Sequence, residues 1–135
     1  MNWKTDDLGK LLLRLTVGVL LILHGVHKIY AGPNEIIEIV TANHWPAFTA
    51  YGVYLGEVLG PLLVIFGFFT RIGGVLIFID LIIAVILTRG GNVWHLGGSG
   101  NWVIELEALF GLGGLAIALL GAGKYSVTGA TGKFN

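Results

Sequence analysis

Four stretches of this 135-residue chain are long and apolar enough to be read as membrane-crossing helices. No other feature limits the fold so severely. A hydrocarbon core about 30 Å thick takes roughly 20 helical residues to cross. Stretches 8–30, 50–69, 72–88 and 102–122 reach or approach that length, the third being the shortest. Thr5-Asp6-Asp7 puts acidic residues where the first helix begins, and Gly121-Ala122-Gly123 is a natural stop for the last. The expected fold is therefore all-α: an integral membrane four-helix bundle, forming one domain over 1–135.

Composition agrees. Charged residues make up 12% of the chain, about half the usual 25% of a soluble domain. With 55% hydrophobic residues, a soluble chain of this size could not hide its apolar surface, and disorder is excluded for the same reason. A net charge of zero argues against nucleic acid as a partner. The absence of cysteine removes disulfides, thiolate metal sites, iron–sulfur clusters and cysteine nucleophiles.

The basic start (Lys4, Lys10, Arg14) ahead of an apolar run has the look of a secretory signal. Its removal would leave three spans, and the residues around Ala31 make a poor cleavage site, so the stretch is read as a retained helix. Lys4, Lys10, Arg14, Arg71, Lys124 and Lys133 fall on one side of the spans, and only Lys28 and Arg89 on the other. That split places both termini in the cytoplasm and loops 31–49 and 89–101 outside. Trp45, Trp94 and Trp102 are read as interface anchors. Segment 33–48, with Ile36, Ile37, Val40 and Trp45 among Glu35 and Glu38, has the pattern of a short interfacial helix.

Seven ionisable residues lie inside or at the edges of the spans: Arg14, His24, His27, Glu57, Asp80, Glu105 and Glu107. Such groups cost several kcal/mol in a bilayer unless paired, and so point to function by default. At 1.5 Å of rise per residue, Arg14 lies about 8 Å and Asp80 about 12 Å from the inner edge. Those depths suggest a structural ion pair. His24 comes out at about 22 Å, Glu57 at about 18 Å and Glu105 at about 25 Å. The expectation is one polar pocket in the outer half built from His24, Glu57 and Glu105, with His27 flanking and Arg14 reaching up from below. Glu105 and Glu107 point to nearly opposite sides of their helix, so only one can face inward. His24 and His27 share a face at i and i+3, whereas helical metal sites more often use i and i+4 or E-x-x-H. No metal site is assigned, and a histidine beside a carboxylate is read as a proton-exchanging group.

Glycine supplies close packing. Gly52, Gly56 and Gly60 make two GxxxG steps, which lets a second backbone approach and leaves a homo-oligomer open. Pro61 can kink the same helix beside Glu57. Gly111-Leu112-Gly113-Gly114-Leu115-Ala116 spells a dinucleotide motif, but inside an apolar span with no strand before it. That string is read as helix packing.

At several of these positions the chain resembles the DoxX family of small membrane proteins. The likeness rests on Leu12-Leu13-Arg14-Leu15, Leu23-His24-Gly25 with Lys28, Leu55-Gly56-Glu57, Gly67-Phe68-Phe69-Thr70-Arg71, Glu105 and Gly121-Ala122-Gly123-Lys124-Tyr125-Ser126. The resemblance implies a four-helix bundle in a prokaryotic plasma membrane. It also implies a link to redox processes: thiosulfate oxidation feeding a quinone pool, quinone or catechol stress, and a membrane complex with superoxide dismutase. Asp80 and the histidine pair are not carried over from the family pattern. Two functions remain open. One is a redox-linked protein, a quinone-linked oxidoreductase subunit, that holds a quinone or similar aromatic molecule among its helices. Having no evident electron carrier of its own, it would act with a redox-protein partner. The other is a non-catalytic membrane scaffold of a redox or stress-response complex.

Overall fold

A computed structural model describes residues 3–135 and is all-helical; residues 1 and 2 of the expected domain lie outside the described residues. Helix α1 (Trp3–Ala31) carries Asp6 in its first turn and Lys28 in its last, a placement that suits the helix dipole. It stops where Gly32, at φ 79°, takes the left-handed conformation ahead of Pro33. The short helix expected in the following loop is α2 (Asn34–Ala42), with Val40 buried.

The second long element is irregular. A 3₁₀ segment (Ala47–Gly52) leads into a π-helical turn (Leu55–Leu59) and then α3 (Gly60–Phe66). Helix α4 (Thr70–Arg89) follows, and after a loop α5 (Glu105–Leu120) returns. Segments 4–31, 47–66 and 70–89 are long and apolar enough to cross a membrane. At 16 residues α5 is shorter. It still runs the length of α4 in the opposite direction: Glu107 pairs with Arg89 at one end, and Arg71 donates to Ala118 and Leu119 at the other.

Each long element packs on two others. Both α1 and α4 lie against the second span and against α5. Val17, Leu21, Val64, Ile77, Leu81, Phe110 and Ile117 fill the centre. Outside it, leucines and isoleucines such as Leu12, Leu23, Ile79, Leu109 and Leu119 are exposed, a surface that lipid rather than water can solvate. Glycines set the spacing. A Cβ on Gly74 would stand 2.5 Å from the Gly114 carbonyl oxygen, and one on Gly113 would strike Val17. The string at 111–116 is thus helix packing, as its apolar setting implied.

Candidate functional site

The site begins with a defect in a helix. Pro61 has no N–H to give and its ring crowds the preceding turn. In the turn ahead of it the spacing widens, and Gly60 donates its N–H to the Leu55 carbonyl five residues back. Such π turns are rare and recur at functional sites. This one carries Glu57, which is 5% exposed.

Two glycines let neighbouring helices close around it. A Cβ at Gly25 of α1 would collide with the Glu57 backbone carbonyl, and a Cβ at Gly56 would collide with the Asp80 side chain of α4. From one turn beyond Gly25, the Lys28 side chain leans back along α1, as long helical side chains do. Its Nζ donates to Glu57 Oε1 at 2.5 Å. Asp80 packs against Gly56, the neighbour of Glu57 in sequence, and lines the same cavity as Glu57 and Lys28. Three helices thus bring two carboxyl groups and one ammonium together.

The cluster lies in the wall of a cavity of about 460 Å³ between the second span, α4 and the α2–3₁₀ segment. Val40, Trp45, Phe48, Leu76, Ile79 and Ile83 give it an apolar surface, and Lys28, Glu57 and Asp80 are its three ionisable lining residues. One oxygen of each acid, Glu57 Oε2 and Asp80 Oδ2, is buried without a hydrogen-bond partner. Buried polar atoms left in that state are uncommon and mark a place where something else is needed.

Arg14 sits elsewhere, and the expected ion pair with Asp80 is absent among the described residues. Arg14 is 1% exposed, and its guanidinium donates to four carbonyls: Val64 (2.9 Å), Ile65 (3.0 Å), Ala122 (2.8 Å) and Tyr125 (2.8 Å). The reason lies in the end of α3. Gly67 at φ 72° closes it, and the Leu63 carbonyl receives the N–H groups of Gly67 and Phe68. The Phe66 carbonyl receives Val127 N–H. The two carbonyls left over at this helix end need donors, and Arg14 supplies them. A cation there also meets the negative end of the helix dipole. Asp80 is out of reach: α4 meets Val64 at Gly73, and Asp80 lies seven residues, about 10 Å, further on.

The pocket expected from His24, Glu57 and Glu105 does not form. His24 is exposed, with its ring edge-on to Phe110 at 5.8 Å and Nδ1 3.1 Å from the Leu20 carbonyl. His27 is exposed as well. Glu105 is exposed and accepts the Trp102 N–H at 3.2 Å, closing the turn before its own helix. Glu107 lies 3.7 Å from Arg89. Neither glutamate reaches the cavity wall. Among the described residues no three His, Asp or Glu side chains are grouped to hold a metal ion.

Helix boundaries account for the misplacement. The second span ends at Phe66 and α4 begins at Thr70, which puts Glu57 and Asp80 at about 14 and 15 Å from that end. Read with limits of 69 and 72, the same residues fall about 6 Å apart in depth. Lys28 was missed as a site residue because its Cα lies near the end of α1. The readable signal was its long stem, which can return a charge to the interior.

A sequence model of the DoxX family matches residues 9–90, more than half of the chain. A Bacillus subtilis (strain 168) protein named "Putative oxidoreductase CatD" is 37% identical over 86 residues, 64% of this chain and 63% of that protein. The chain thus covers less than two thirds of that relative's length. No solved structure matches. Arg14, Lys28, Glu57, Arg71 and Asp80 all fall within the family match.

Proposed function

The chain belongs to the DoxX family of membrane proteins, and on that premise we propose that it holds a quinone or similar small aromatic molecule in the Lys28–Glu57–Asp80 cavity as part of a redox process. The observation that carries this reading is the cavity itself: apolar, about 460 Å³, with its only ionisable lining residues gathered in one cluster. Small-molecule sites are of this kind, mostly apolar with a few polar groups that fix orientation. Trp45 and Phe48 offer aromatic surface for a ring to stack on. At the polar end, Lys28 Nζ can donate to a ligand oxygen, and Glu57 and Asp80 can accept or return a proton there. The relative named an oxidoreductase supports a redox setting. Electrons would come from a partner protein, since the described residues contain no evident carrier.

This reading includes four passes through a prokaryotic plasma membrane, with α5 as the fourth and both termini in the cytoplasm. Six Lys and Arg residues support that orientation against two, and the two exceptions, Lys28 and Arg89, are each paired with a glutamate. A cysteine at Ser99 should react with an impermeant reagent on spheroplasts, and one at Ser126 should not. The opposite pattern reverses the orientation. Function is tested by purification in mild detergent, extraction and mass spectrometry, with quinone added back to the extracted protein. A retained or saturably rebound aromatic molecule is expected. A clean protein that rebinds none points instead to a scaffold.

A further inference from the structure

The polar end of the cavity is built to accept hydrogen bonds. Lys28 is the cation of the cluster, and one of its N–H groups is already given to Glu57 Oε1. Glu57 Oε2 and Asp80 Oδ2 have no donor. Both oxygens face apolar surroundings, where a polar atom left without a hydrogen bond is costly. A ligand with carbonyl oxygens alone would leave both carboxyl oxygens unsatisfied.

The geometry points to a neutral dihydroxyarene, the reduced form of a quinone-type ring, as the species the cavity prefers, its O–H groups donating to Glu57 and Asp80. This rests on the reading of the cavity as a small-aromatic site and deepens it by assigning the redox state of the occupant. The oxidised ring is held less well because it brings acceptors to a place already short of donors. A site built to hydrogen-bond a substrate O–H discriminates strongly against the analogue lacking it, because the site's own buried groups are then left unpaired.

The test uses the full chain in detergent, without oxygen, and three probes of one ring: tetramethyl-1,4-hydroquinone, its quinone and its monomethyl ether. Full methyl substitution prevents covalent addition of Lys28 to the ring. The hydroquinone should bind at least roughly tenfold tighter than the quinone, with the monoether between them. Asp80→Asn replaces one acceptor oxygen by an N–H donor at nearly constant shape. It should shrink the preference by weakening the hydroquinone and strengthening the quinone, with the melting temperature as the check on folding. Equal binding of the two redox forms, or tighter quinone, overturns the inference and leaves the aromatic-site reading intact. Binding of none of the three removes both. A preference that survives unchanged in Asp80→Asn and in Glu57→Gln also overturns it, because the discrimination would then arise away from these carboxyl groups.

Discussion

Arg14 and Glu57 are both buried charged residues in the same bundle, yet their surroundings are opposites. Around Arg14 the hydrogen bonding is closed: each of the last carbonyls of α3, from Leu63 to Phe66, has a named donor. Arg71 does the same at the end of α5, donating to Ala118, Leu119 and the Asn135 carbonyl. Around Glu57 the accounting stays open, with two carboxyl oxygens unpartnered beside an apolar cavity. A buried charge whose partners are all backbone is serving the fold. One whose partners are incomplete, next to empty space, is available to a ligand. Burial alone does not separate the two cases, but the hydrogen-bond inventory does.

The largest effect should come from the closed end. Arg14→Leu strips donors from four carbonyls, and each orphaned buried group costs about 1–3 kcal/mol. The detergent-solubilised protein should melt much lower, with Asp80→Asn giving no rescue. Rescue would restore the ion pair that the structure replaces with carbonyl contacts. Gly25→Val comes next. Its side chain would enter the Glu57 backbone, and overpacking of this kind costs about 1–3 kcal/mol. It should also weaken ligand binding, since it parts α1 from the second span.

At the open end the order reverses, with binding changing more than stability. Lys28→Met leaves two carboxyl groups without their cation. The lysine is partly exposed, so the cost should fall between the surface and buried cases, on the order of 1–2 kcal/mol. Loss of aromatic-ligand binding should be the clearer effect. A melting temperature that falls as far as in Arg14→Leu would erase the distinction between the two ends. The smallest effect belongs to Glu105→Gln. It touches one exposed hydrogen bond within its own turn, so stability should change by less than about 1 kcal/mol and binding not at all.

Much of this was legible in the sequence. The all-helical membrane fold follows from the apolar stretches, and the helix over 34–42 from isoleucines spaced among glutamates. The packing role of 111–116 follows from its setting. The partners of the charged residues were not legible, because partner choice depends on helix ends and on azimuth. A shift of two or three residues at a boundary moves a side chain by about 3–5 Å, enough to hide the level shared by Glu57 and Asp80. Arg14 misled for another reason. Sequence suggests carboxylates for an arginine, but it does not show which backbone carbonyls a glycine-capped helix will leave without donors.

The central claim is that the cavity beside Lys28, Glu57 and Asp80 is where a small aromatic ligand sits. Ala84 lines that cavity from α4, and its carbonyl is not among the four that Arg14 bonds. Filling the space with Ala84→Phe adds bulk where there is room, so the melting temperature should hold. Equilibrium binding of tetramethyl-1,4-hydroquinone to the wild type and to this variant is the most direct measurement. Saturable binding of one molecule per chain is expected in the wild type, and its loss in Ala84→Phe. Equal binding by the two proteins would contradict it.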